Sequence, residues 1–200
     1  MKRLGLLLLV LAAPMAAQDS TGVQDSTATK HVREGFWFRF GVGYGFVDGS
    51  VRGDISEDLE ASSSPSGFIA LGGQVSPNIG IGATVNAYLE PKGRYLTAGI
   101  VAPTLFWHTK NSGFYGQLAV GIAIYGETGA FGRGEGSQLR GTGIGVLLGA
   151  GIDIRVARIL SISPYVNLIY SRMGSVKLPG STIRVMNTTL IQVGASLTVH

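Results

Sequence analysis

The residues of this chain best suited to chemistry are few and far apart. Arg39 and Asp153 are the two clear charges lying well inside alternating apolar segments, Arg39 early in 35–47 and Asp153 late in 142–155. A guanidinium and a carboxylate removed from water need a partner, because an unpaired buried charge is costly. They are expected to pair across an interior space and plug it; the competing reading has each solvated at a mouth. Asn86, Tyr88, Gln117, Tyr165, Asn167 and Gln192 are uncharged polar residues on the same kind of face, able to satisfy one another's hydrogen bonds. Nucleophilic catalysis would need a base within reach of its nucleophile. The histidines are His31 and His200 near the chain ends and His108 at a segment end, with no acid beside it. No catalytic residue is therefore expected, and His108 reads as a lone interfacial histidine. Cysteine is absent, which excludes disulfides and thiolate metal sites. The acidic run Asp54-x-x-Glu57-Asp58-x-Glu60 lacks the glycine and spacing of a calcium loop, so neither metal nor cofactor is expected.

These residues must be positioned by strands. In Phe36–Val47, the residues Phe36, Phe38, Phe40, Val42, Tyr44 and Phe46 alternate with Trp37, Arg39, Gly41, Gly43 and Gly45. A period of two means a β-strand with one apolar face, and so much glycine opposite excludes a helix. The same pattern recurs and predicts eight strands, at 35–47, 65–75, 78–90, 95–108, 113–126, 142–155, 159–172 and 187–199. Each exceeds the roughly 9–11 residues that a tilted strand needs to cross a bilayer. Pro103 and Pro164 fall inside two of them and suggest bulges. Short connections at 76–78, 109–112 and 156–158 alternate with long ones at 48–64, 127–141 and 173–186; the connection 91–94 is the short member of that second set. Short turns on one side and long loops on the other are the habit of outer-membrane barrels. Aromatic residues near strand ends (Phe36, Phe106, Trp107, Phe114, Tyr170) suit an interfacial girdle. A soluble barrel of the lipocalin kind would instead line its outer face with Lys and Glu, where this chain has Gly, Ser, Thr, Asn and Tyr.

Residues 1–17 read as a signal peptide: Lys2 and Arg3, then the apolar run Leu4–Ala13, then small residues before Gln18. Residues 18–34, with Q-D-S-T twice, read as a disordered periplasmic leader, and 35–200 as the barrel. Removal of the signal peptide lowers the basic count from 16 to 14 against 12 acids, so the net charge of +4 becomes +2. With no dense basic run, a nucleic-acid partner is not expected.

On these residues the chain resembles the small eight-stranded outer-membrane barrels of the OmpX and OmpA transmembrane-domain type. The resemblance covers 35–199 and rests on the aromatic–glycine opening strand, on P-Y-V-N-L-I-Y at 164–170, and on the closing strand. Gln192, Gly194, Leu197 and Val199 match the positions of the family's C-terminal assembly signal, with Val199 where Phe is usual. The resemblance implies an all-β, antiparallel up-and-down transmembrane barrel in the bacterial outer membrane, both termini periplasmic. It implies a monomer, recognised by the barrel-assembly machinery during biogenesis and embedded among outer-membrane lipid and lipopolysaccharide. It also implies a structural or surface-interactive role (envelope integrity, adhesion or defence) through an extracellular surface partner. The inward glycines leave open a second reading, a narrow channel or carrier for a small solute. Asp54, Glu57, Asp58 and Glu60 make the first long loop acidic, while Lys177 and Arg184 make the last one basic. Closure would make these loops neighbours, shaping the extracellular rim by attraction worth about 0–1 kcal/mol per exposed pair.

Overall fold

The computed structural model describes residues 35–53, 57–90, 96–109, 112–128, 138–174, 176–178 and 181–200. Among them there are ten strands and no helix: β1 (Phe36–Gly53), β2 (Glu57–Ser76), β3 (Ile79–Glu90), β4 (Leu96–His108), β5 (Phe114–Thr128), β6 (Gln138–Ile152), β7 (Ile154–Ala157), β8 (Leu160–Met173), β9 (Val176–Leu178) and β10 (Ser181–Val199). Eight long strands form the wall, each antiparallel to its neighbours in the order β1-β2-β3-β4-β5-β6-β8-β10. The wall closes through β1 and β10, from Phe38 opposite Val199 to Gly53 opposite Ile183. Closure gives each of the eight wall strands a partner on both sides, as a bilayer requires.

Alternation in sequence becomes inside and outside here. Phe36, Phe38, Phe40, Val42, Tyr44 and Phe46 all lie on the outer wall, as do Ile81, Val85, Val120, Ile122, Ile144, Leu168 and Leu197. Their partners in the alternation are buried in the lumen: Trp37 and Arg39 of β1, Thr84 and Asn86 of β3, Tyr115 and Gln117 of β5, Ser196 and Thr198 of β10. An outer wall this apolar suits hydrocarbon, not water.

Four expectations need correction. The strands of the loop side run well past their predicted ends, so that β1 reaches Gly53 and β2 begins at Glu57, and most of the connection 48–64 is paired backbone. Beyond the apolar belt a ladder needs only hydrogen bonds, so serine and glycine extend it without a hydrophobic signal. The prolines mark gaps instead of bulges. The β4–β5 ladder omits Ala102 and Pro103 yet keeps its register from Val101–Ile122 to Thr104–Ala119. Pro164 lies beside the break that divides the predicted strand 142–155 into β6 and β7, with Asp153 at the break. A proline removes one donor from a ladder without adding a residue to it. Lastly, Phe106 is 1 % exposed and belongs to the interior, whereas its neighbour Trp107 is 56 % exposed and remains in the outer girdle with Phe36.

Candidate functional site

Among the described residues, the lumen is where the fold gathers polar side chains, and it is filled in three layers. The layer at the end where β1 begins and β10 ends, the floor, holds the buried charges. Arg39 Nη2 donates to Asp153 Oδ1 at 2.8 Å, and both side chains are nearly solvent-free. The register explains the rest of the shell. Thr198 lies opposite Arg39 across the closing seam and accepts from its Nε at 2.7 Å. Ser163 Oγ donates to Asp153 Oδ1 at 2.6 Å, and the Asp153 backbone N–H reaches the Gly113 carbonyl at 2.8 Å, so the strand break is pinned from both sides. The guanidinium carbon lies 3.9 Å from the centre of the Tyr115 ring and 5.6 Å from that of Phe106, a cation–π shelf that holds the charge where water is excluded. Trp37, Phe68, Ala70, Phe106, Tyr115 and Tyr165 pack around it as one cluster. His108 is in this layer too, its ring stacked on Phe106 at 6.5 Å between centroids. That corrects the interfacial reading: His108 alternates with the outward Trp107 and therefore turns inward.

The middle layer is a belt of amides. Asn86 and Gln192 exchange two hydrogen bonds, Nδ2 to Oε1 at 2.6 Å and Nε2 to Oδ1 at 2.7 Å. Gln117 Nε2 donates to Asn167 Oδ1 at 2.5 Å, and Asn167 Nδ2 reaches Gln192 Oε1 at 3.5 Å. None of the four is more than 5 % exposed. Their side chains cross the bore from β3, β5, β8 and β10. Gly149 makes room for them, since a Cβ there would fall 2.3 Å from Asn167 Oδ1 and 2.4 Å from Gln117 Nε2. Gly41 does the same for the floor, where a Cβ would fall 2.2 Å from the Phe68 ring. The expectation that inward glycines leave volume unfilled is thus overturned at both positions: the glycines accommodate large side chains of their register partners on the adjacent strands.

The third layer, toward the loops, is apolar: Val47, Val51, Ile100, Ala102, Ala119, Leu147, Ile169, Met173, Met186 and Leu190, with Tyr88 and Tyr125. Tyr88 hydrogen-bonds Ser62 at 2.9 Å and so leaves the polar group to which the sequence assigned it, while Tyr165 joins the floor against Phe68 at 4.9 Å between ring centres. Sequence reasoning missed Thr198, Ser163 and Tyr115 as partners of the charges, and the apolar layer altogether. The signal for all of them was parity with Gln192, Asn167, Gln117 and the inward glycines of β6.

Of the loop charges, Asp58 is exposed; Asp54 lies outside the described residues, as do the side chains of Glu57, Glu60, Lys177 and Arg184. The expected attraction between the two loops therefore falls outside them as well. In the closing strand Gln192 sits in the amide belt, Gly194 faces Gly43 across the seam, and Leu197 and Val199 lie on the outer wall. Among the described residues no three His, Cys, Asp or Glu side chains converge as metal ligands. The arrangement neutralises charge and pairs amides across the bore, which suits holding; near the chain terminus Ser161 Oγ and His200 Nε2 lie 3.2 Å apart, a hydroxyl and an imidazole within hydrogen-bond reach.

A closed eight-stranded antiparallel barrel, apolar outside and packed with side chains inside, is a transmembrane β-barrel of the smallest kind. Comparison with solved structures agrees on the fold. Neisserial surface protein A (NspA) is similar at a TM-score of 0.55 and 14% sequence identity, covering 82% of this chain and 96% of that one. The outer membrane protein AlkL, solved in lipid bilayers, is similar at a TM-score of 0.51 and 13% identity, covering 91% and 96%. No model of a known protein family matches the sequence, and no curated protein does.

Proposed function

We propose that this chain is an integral protein of the bacterial outer membrane with a closed lumen, serving a structural or surface-interactive role in envelope integrity, adhesion or defence. The amide belt carries this reading. Asn86, Gln192, Asn167 and Gln117 span the bore with mutual hydrogen bonds and almost no exposure, so a solute would have to break them to pass. In this reading both termini and the short turns lie in the periplasm, and the long-loop end faces outward to a surface partner. The apolar wall is solvated by outer-membrane lipid and lipopolysaccharide, and the barrel works as a monomer. The closing-strand residues Gln192, Gly194, Leu197 and Val199 serve the barrel-assembly machinery during insertion. No catalytic step is assigned. Single-channel recording of the refolded barrel in a planar bilayer tests the proposal. A folded barrel that stays electrically silent is the expected result; discrete, reproducible openings would overturn the closed lumen and replace it with a narrow solute channel.

A further inference from the structure

Several buried N–H donors of the floor have no hydrogen-bond partner among the described residues. Three of them are Trp37 Nε1, Arg39 Nη1 and Gln74 Nε2. All three residues line one small cavity of about 10 Å³, together with Phe106, His108, Thr198 and His200. Such a volume admits a single particle near the size of a water molecule. The fold brings the donors together. Trp37 and Arg39 are successive inward residues of β1, and the Gln74 backbone N–H bonds the Gly35 carbonyl at 3.0 Å, which ties the end of β2 to the start of β1.

An indole N–H, a guanidinium N–H and an amide N–H can only donate. Buried donors left unmade are costly, and native interiors rarely keep them. One water accepts two hydrogen bonds and must place its own two hydrogens elsewhere, whereas a halide accepts from all three donors and offers none. The guanidinium adds charge to the hydrogen bonds, which strengthens them. Its Nη2 is already engaged by Asp153, and Nη1 is the group left over. We propose that the floor of the barrel binds one monatomic anion, of chloride size, between Trp37, Arg39 and Gln74.

Bromide is the probe. The full chain is refolded in detergent and carries Trp107→Phe, which leaves Trp37 as its only indole; Trp107 lies on the outer wall, away from the cavity. Bromide should quench Trp37 fluorescence with saturation, chloride should reverse the quenching by competition, and sulfate at equal ionic strength should do neither. Crystals grown in bromide should show an anomalous peak within hydrogen-bond distance of the three nitrogens. Gln74→Leu removes one donor and should weaken half-saturation about tenfold. Gly80→Ala removes no donor but puts a methyl 3.1 Å from Gln74 Oε1 and 3.4 Å from Trp37 Nε1, and it should weaken binding by narrowing the space. Quenching that stays linear, a water peak without anomalous signal, or a rotated Gln74 amide that satisfies the donors with no ion present would overturn the proposal. So would saturable quenching unchanged in both variants.

Discussion

The two ends of the lumen are stabilised by different physics. The loop half is an ordinary apolar core turned inside a barrel, where Leu147, Ile169, Met173 and Met186 are held by shape and by exclusion of water. The floor instead encloses a full ion pair, and each charged group there is met by hydrogen bonds from separate strands: β1, β10, the β6–β7 break and β8. Between them the amide belt keeps the two apart. An apolar core tolerates a change of side chain at the cost of a void. A buried ion pair does not tolerate the loss of one partner, because the other is left charged without solvent. The same bore therefore has a compliant end and an unforgiving one.

The largest effect should accordingly come from the floor. Arg39→Ala leaves Asp153 buried with Ser163 as its described side-chain donor, and is expected to cost about 3–5 kcal/mol of stability. Asp153→Asn leaves Arg39 with Thr198 and the Tyr115 and Phe106 rings as its described partners, and should cost a similar amount. The double variant Arg39→Ala with Asp153→Asn should cost clearly less than the two together, because neither stranded charge remains. Denaturant unfolding of the refolded barrel in lipid vesicles measures all three. Additive losses would mean that the two charges are solvated separately, and the contrast between the ends would collapse.

Much of this contrast is legible in the sequence, and the reason is parity. Alternation alone puts Arg39, Asp153, Asn86, Gln117, Asn167 and Gln192 on the inner face, because a strand leaves its side chains only two directions. What alternation does not carry is the height of a residue in the bore, which depends on register between strands. The mutual pairing of Asn86 with Gln192, 106 positions apart, follows from the stagger of the whole wall and from no local signal. Phe106 shows a second limit. Its parity with Ala102 and Thr104 points inward, but an aromatic beside Trp107 at a strand end also fits a girdle, and the girdle reading is the one that fails. The full lengths of β1 and β2 escape the sequence because polar residues such as Ser62–Ser64 extend a ladder without marking it.

A neighbouring pair sharpens the comparison at the apolar end. Leu147 and Leu148 are consecutive in β6, one at 0 % exposure in the loop-half core and the other at 52 % on the outer wall. Truncation to Ala removes the same atoms from each, and both lose the transfer of those atoms out of water. Only Leu147→Ala also leaves a void, since lipid chains close over the shortened side chain at 148 and nothing can flow into a packed lumen. Leu147→Ala should cost about 3–4 kcal/mol, and Leu148→Ala about 1–2 kcal/mol less. Equal losses in vesicle unfolding would show that the loop half is not packed as a core, and that lipid or water reaches it.

The smallest expected effect probes how glycine serves the floor. At Gly41 an added methyl would collide with the Phe68 ring, which is itself fixed edge-on against Tyr165 at 4.9 Å and cannot swing aside freely. Gly41→Ala should thus act as an overpacking change costing about 1–3 kcal/mol. The compensating change is Phe68→Leu, which vacates the space that the methyl needs. Alone, it should destabilise by leaving Tyr165 and the floor cluster loosely packed. In combination with Gly41→Ala it should lose less than the sum of the two, because each change repairs part of what the other breaks. Strict additivity would show that Phe68 does not depend on the bare backbone at Gly41, and that glycine there serves wall curvature. Coupling of the expected sign would tie an inner-face glycine of the opening strand directly to the packing that closes the bore.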